Sequence, residues 1–264
     1  MRIAAVQMIS GPAVDANLAV AGRLVAQAAA AGARLVALPE FFPCIGAADE
    51  QRLTVREPEG RGAIQDFLAA TAARLGVWLV GGSVPLVADD PAKVRNSCLV
   101  FDDRGRRVAR YDKIHLFSFR RGEESYDEAA TIEAGDRVVA FDSPFGRVGL
   151  AICYDLRFPE LFRALGPVDL LVIPSAFTQT TGRAHWELLL RARAVENQCY
   201  VLAPAQGGAH PTGRRTWGES MLVDPWGDVV AKLGQGEGVA AGELDPARIA
   251  EVRGSLPALQ HRKL

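Results

Sequence analysis

The stretch Gly146-Arg147-Val148-Gly149-Leu150-Ala151-Ile152-Cys153-Tyr154-Asp155-Leu156-Arg157-Phe158-Pro159-Glu160 carries a residue well suited to covalent chemistry. An apolar, strand-like run ends at Ile152, Cys153 follows at once, and a helix is expected from about residue 157. Open α/β sheets place their sites at such junctions, at the carboxyl ends of strands. A thiol beside the positive end of a helix dipole is biased towards thiolate, the nucleophilic form. The Tyr154 backbone N–H would face an oxyanion forming beside the sulfur. On this segment alone, a core cysteine at a strand end is an equally good reading.

Two further strand ends supply the partners a cysteine nucleophile needs. Glu40 follows Leu35-Val36-Ala37-Leu38-Pro39, so a buried strand delivers a carboxylate to the sheet edge, where an unpaired charge is costly. Lys113 closes the second arm of an expected hairpin, in Tyr111-Asp112-Lys113-Ile114-His115-Leu116-Phe117, with apolar and aromatic neighbours on both sides. Each alone reads as well as a solvated loop acid or a surface lysine. Their joint occurrence at comparable topological positions separates the functional reading from the ordinary one.

The elements that must position these residues alternate between apolar runs and helical stretches, with Gly or Pro at the joints. Strands are expected at 2–8, 34–38, 77–81, 96–101, 107–112, 147–152, 170–173 and 200–203, with a second hairpin around Asp224-Pro225-Trp226-Gly227. Helices are expected from an N-cap at Asp15 to about Ala31, and over 62–75, 157–165 and 183–197. Residues 117–136 read as a long polar loop. Leu35-Val36-Ala37-Leu38-Pro39 is echoed by Leu171-Val172-Ile173-Pro174, and Leu99–Gly105 by Met221–Gly227, in the same order. The echo suggests two similar α/β halves packed as one unit. No Pro/Ser/Gly-rich linker divides the chain, so a single domain over residues 1–264 is expected.

Composition narrows the function classes. Lys and Arg total 30 against 31 Asp and Glu, a net charge of -1, which offers no footprint for a nucleic-acid backbone. High apolar content argues against disorder, and no run approaches the ~20 apolar residues of a membrane span. The N-terminus lacks the longer apolar core of a signal peptide, so a cytoplasmic location is expected. The 4 cysteines are scattered, with no zinc-knuckle or CxxC spacing, so no metal site is expected.

Leu38-Pro39-Glu40, Tyr111–Phe117 and Cys153–Glu160, in this order and over nearly the whole chain, resemble the nitrilase (carbon–nitrogen hydrolase) superfamily. The resemblance implies a four-layer α-β-β-α sandwich of the α/β class, a Glu40–Lys113–Cys153 triad, and no metal or organic cofactor. It also implies homodimers or higher homo-oligomers that pair through a helical face, and a second glutamate between the Lys and Cys motifs. Glu128 is the matching position, although this sequence has Ala134 where the family usually has Pro, and a shorter loop before Tyr126.

The stretches Pro174–Glu187, Arg191–Tyr200 and Ser220–Gly227 resemble the Nit branch, which contains deaminated-glutathione amidases and ω-amidases. Arg183-Ala184-His185-Trp186, Asn197–Val201 and Pro257–Arg262 are closer to the deaminated-glutathione amidases. The implied reaction is hydrolysis of the terminal amide of a small 2-oxo acid to a carboxylate and ammonia through a cysteine thioester. Tyr154, Arg157 and Phe177 are the substrate-binding candidates, with Arg157 as the anchor for a carboxylate or, equally, as a tie to Asp155 or Glu160. Trp186, Leu189, Leu190 and Val195 read as a buried helix stripe that could lie at the dimer interface. Rival readings are an ω-amidase acting on 2-oxoglutaramate, an N-carbamoyl-amine hydrolase, a true nitrilase, or a retired amidase kept as a binding scaffold.

Overall fold

Leu35, Val36 and Ala37 are all fully buried, yet Leu35 and Ala37 face one core and Val36 another. That division follows from the two-residue period of a strand with both faces covered. The same alternation places Ile3 and Ala5 in the first core and Ala4 and Val6 in the second.

The structure is a computed structural model, and residues 1–263 are described. In chain order the first half runs β1 (Arg2–Gln7), α1 (Val14–Ala30), β2 (Leu35–Ala37), α2 (Gln51–Thr54), α3 (Ala63–Leu75), β3 (Trp78–Val80), β4 (Val84–Val87), β5 (Val94–Phe101), β6 (Arg107–Asp112), β7 (Ser118–Arg121) and β8 (Glu124–Asp127). The second half runs β9 (Ala140–Ser143), β10 (Gly146–Leu150), α4 (Pro159–Ala164), β11 (Leu170–Val172), α5 (Gln179–Asn197), β12 (Tyr200–Ala203), β13 (Met221–Val223), β14 (Val229–Lys232), β15 (Gly238–Glu243) and α6 (Pro246–Ser255).

One sheet runs β15-β1-β2-β3-β5-β4, with β6 on the other edge of β5; the second runs β14-β13-β12-β11-β10-β9. Three parallel strands, β1-β2-β3 and β10-β11-β12, form the middle of each. Each trio is flanked by an antiparallel strand on one side, β15 or β9, and by an antiparallel hairpin on the other, β5–β6 or β13–β14. The sequence echo therefore falls on equivalent strands: β2 matches β11, and the β5 turn matches the β13 turn.

α1 and α3 cover one sheet through Leu24, Val25, Ala28, Ile64 and Leu68, while α4 and α5 cover the other through Phe162, Trp186 and Leu190. The inner faces of both sheets share a single core. The architecture is a four-layer α-β-β-α sandwich.

Several local expectations are corrected. Residues 117–136 are not a featureless loop: β7 and β8 form a hairpin that pairs Phe119 with Tyr126. Phe117, Phe119 and Tyr126 pack together while the intervening charges face solvent, and Glu124 accepts a hydrogen bond from Thr180 Oγ1 at 2.8 Å. α1 starts at Val14 without a side-chain cap, so Asp15 lies in its first turn; Asn17 instead bonds both backbone groups of Gly11. α5 begins four residues before its expected start, because Thr178 accepts a hydrogen bond from the Thr181 N–H. Val195 points outward, 47% exposed, whereas Trp186 and Leu190 are core. No helix among the described residues is long and apolar enough to cross a membrane.

Candidate active site

Glu40 leaves the carboxyl end of β2 through a tightly held turn. Gly82, at φ +56°, passes so close that a Cβ would lie 2.1 Å from the Pro39 carbonyl oxygen. Next to it, Ser83 Oγ accepts the Phe41 N–H at 3.0 Å, while Phe41 itself sits at φ +54°. These contacts aim the Glu40 carboxylate inward, where it is buried.

Lys113 directly succeeds β6 and is fully buried. Its Nζ donates to Glu40 Oε1 at 2.8 Å and to Glu128 Oε1 and Oε2 at 3.0 and 2.7 Å. Asn96 Nδ2, on β5, donates to the same Glu40 oxygen at 3.0 Å, and the Phe117 N–H donates to Glu128 Oε2 at 2.8 Å. Two carboxylates and one ammonium thus meet out of solvent. Glu128 sits on a single turn directly after β8, so the hairpin that delivers it is the segment expected to be irregular.

Cys153 lies just past β10 and adopts φ +48°, a left-handed conformation costly for a residue with a Cβ. Its N–H donates to the Pro174 carbonyl at 2.9 Å, beyond the end of β11. Asp155 holds the turn. Fully buried, its Oδ2 accepts from Tyr111 Oη at 2.6 Å and from the Ile152 N–H at 2.9 Å. Its Oδ1 accepts from the His115 N–H at 2.9 Å and lies 2.8 Å from His115 Nδ1. One carboxylate therefore ties the segment carrying Cys153 to the segment carrying Lys113.

The electrostatics of the site stem from this burial. Desolvation pushes the Glu40 carboxyl up; Lys113 opposes the rise and the negative Glu128 reinforces it. Burial works against the Lys113 ammonium, but Glu128 and Glu40 outweigh it and hold the group charged. The Cys153 thiol is raised well above its ordinary range by burial and by the Glu40 charge, with Lys113 pulling the other way. The expectation of a thiolate biased by a helix dipole is thus corrected. Cys153 opens a five-residue 3-10 segment, Cys153–Arg157, and α4 starts only at Pro159.

Glu40, Glu128, Cys153, Tyr154, Arg157 and Phe177 line one cleft, with Lys113 buried behind its floor. Arg157 ends the 3-10 segment instead of starting a helix. Its guanidinium lies over the rings of Tyr154 and Phe177, at 5.7 and 5.2 Å, and 3.1 Å from His185 Nδ1. Neither Asp155 nor Glu160 ties it down. Sequence reasoning missed Asn96, the contacts that converge on Asp155, and Arg52, Arg214 and Arg215, which also line the cleft. For Asp155 a signal existed: a lone acid in an apolar segment after a strand, the same signal that marked Glu40.

The carbon–nitrogen hydrolase family model matches residues 2–254. The chain is 42% identical to the deaminated glutathione amidase of Synechocystis sp. over 265 aligned positions, covering 98% of this chain and 97% of that protein. It is 38% identical to the human omega-amidase NIT2, covering 99% of this chain and 95% of that one. The crystal structure of Saccharomyces cerevisiae Nit3, a member of branch 10 of the nitrilase superfamily, superposes with a TM-score of 0.88 at 32% identity, over 100% of this chain and 97% of that chain. A family match spanning nearly the whole sequence, on a sandwich that gathers acid, lysine and cysteine at the strand ends, makes the chain a member of the carbon–nitrogen hydrolase family.

Proposed function

We propose that this enzyme is an amidase that hydrolyses the γ-amide of a small 2-oxo acid, deaminated glutathione foremost, with Glu40, Lys113, Cys153 and Glu128 as its catalytic set. The observation that carries the reading is the contact of the Lys113 ammonium with both carboxylates at the floor of the cleft that Cys153 lines. The similarity to deaminated glutathione amidases and omega-amidases supports the substrate class. The catalytic unit is taken as one domain over residues 1–264, in the cytoplasm.

In the resting site Cys153 is a thiol. As its sulfur attacks the amide carbonyl, Glu40 takes the thiol proton and a tetrahedral oxyanion forms. Lys113 and the Tyr154 N–H stabilise that oxyanion, at a site where low solvent access makes fixed charge effective. Glu40 then gives its proton to the departing nitrogen, the C–N bond breaks, and a thioester remains. Water attacks the thioester, Glu40 takes its proton, and the collapse releases a carboxylate and restores the thiol. Glu128 keeps Lys113 charged and oriented. Arg157, stacked on Tyr154 and Phe177, receives the 2-oxo acid carboxylate.

The leaving group depends on the substrate. It is ammonia for 2-oxoglutaramate, but cysteinylglycine for deaminated glutathione, whose γ-amide nitrogen belongs to that dipeptide. Release of 2-oxoglutarate, common to both, is therefore the assay. Deaminated glutathione is expected to give the higher kcat/KM, and Cys153→Ala to lose at least 10³-fold of it, on the order of the losses seen when nucleophiles are removed. Turnover of a carbamoyl amine or a nitrile but of neither 2-oxo acid would reject the substrate class. Full activity in Cys153→Ala would reject the mechanism.

A further inference from the structure

A second cluster of charge lies at the mouth of the same cleft, on the side of Glu40. Phe41 is the next residue after Glu40, and the Arg52 guanidinium lies 4.6 Å over its ring. Arg52 Nη2 contacts Asp49 Oδ1 at 2.8 Å, and Arg214 Nη2 contacts the same oxygen at 2.8 Å. Two guanidiniums thus share one carboxylate oxygen. The adjacent Arg215 also lines the cleft and has no carboxylate partner among the described residues. Glu40 and Glu128, the other carboxylates of the cleft lining, are engaged by Lys113. Among the residues lining the mouth, three cations thus meet one anion, and the nearby Glu124, outside the lining, accepts from Thr180 Oγ1 at 2.8 Å; the balance favours a further anion.

This mouth is built. The loop bearing Arg214 and Arg215 is closed by the His210 N–H donating to the Arg214 carbonyl and the Gly213 N–H donating to the His210 carbonyl, both at 2.9 Å. The buried His210 ring spans Ser10 O and Thr216 Oγ1, each at 2.8 Å, and Arg215 forms a bridge with Ala209. Arg52 is nearly buried, its side chain 11% exposed. Arg157 stacks on Tyr154, next to the nucleophile, and on Phe177, whose carbonyl accepts the Trp217 N–H at 2.9 Å. In the proposed reaction Glu40 protonates the departing nitrogen, so the leaving group lies on the Glu40 side, the side where Phe41, Arg52 and Arg214 extend.

We propose that Arg52, Arg214 and Arg215 form a distal anion subsite that receives a carboxylate carried by the leaving amine. The preferred substrate is then an N-substituted amide with a carboxylate at each end, held by Arg157 at one and by the distal arginines at the other. This rests on the amidase reading above and extends it to the leaving-group side. A primary amide such as 2-oxoglutaramate leaves the subsite unused.

The test compares deaminated glutathione with the same compound amidated at its C-terminal carboxylate, both followed by 2-oxoglutarate release. Wild-type enzyme is expected to prefer the free acid by roughly tenfold in kcat/KM, the scale of one charge-assisted contact. In Arg214→Ala/Arg215→Ala that ratio should fall towards one, while Arg214→Lys/Arg215→Lys should keep part of it. The amidated compound is the internal control for folding, because only the ratio is read. The wild-type ratio should also shrink as ionic strength rises, a measurement that needs no variant. A wild-type ratio of one, or a ratio unchanged by the double alanine substitution, would overturn the subsite while leaving the amidase reading intact. Turnover of neither compound, nor of 2-oxoglutaramate, would overturn both.

Discussion

In the proposed mechanism Glu40 is the residue whose protonation sets the working pH range. Burial and the Glu128 charge raise its carboxyl, and Lys113 pulls it back. As a general base it must be ionised, so activity should rise with pH through a value above the ordinary carboxylate range. Lys113, raised by the two glutamates, stays protonated throughout that range. Glu128→Gln removes the negative neighbour and leaves Lys113 to Glu40 alone, and both changes favour the Glu40 carboxylate. The acid limb of kcat/KM is therefore expected at lower pH in Glu128→Gln, together with a lower kcat. A limb that moves to higher pH would contradict this balance of charges.

Between residue and fold stands the pair of turns that Asp155 joins. Four contacts from three residues, Tyr111, His115 and Ile152, converge on it, and they come from the segments that carry Lys113 and Cys153. Asn at this position keeps one oxygen acceptor and replaces the other with a donor, which would face the Tyr111 hydroxyl or the Ile152 N–H. The expected result is a kcat about 10²-fold lower, with KM little changed, since a displacement of ~1 Å at reacting groups costs that much. Kinetics of the folded fraction, checked by circular dichroism, decide the matter. If specific activity per folded molecule is unchanged, Asp155 serves stability alone. The hairpin β7–β8 positions in the same way: aromatic packing on one face, hidden among charged residues, fixes the place of Glu128.

At the scale of the molecule, the outward side of α5 exposes Leu188 at 68% and Val195 at 47%, and Trp226, in the turn between β13 and β14, is 53% exposed. Val195 and that turn adjoin, because a Cβ at Gly227 would lie 2.7 Å from Val195 Cγ2. Apolar side chains gathered in this way favour association. We propose that this face pairs two copies of the chain. Sedimentation velocity at micromolar concentration should give a dimer for the wild type and a monomer for Leu188→Asp. A monomeric wild type would remove this face from consideration.

The sequence by itself determined the chemical cast and the framework. Strand patterns that end in Glu40, Lys113 and Cys153 are local, because a two-residue alternation and the turn after it specify where a side chain emerges. The repeated strand-and-hairpin wording likewise anticipated equivalent strands in the two sheets. Tertiary structure alone decided the state of those groups. The Cys153 thiol, the raised Glu40 carboxyl and the charged Lys113 depend on desolvation and on distances between segments far apart in sequence, and no local pattern encodes either. The same holds for Arg214, which reaches from the other half of the chain the Asp49 oxygen that Arg52, three residues along, already contacts. Charge interactions act through space, so their partners emerge only once the two sheets have packed.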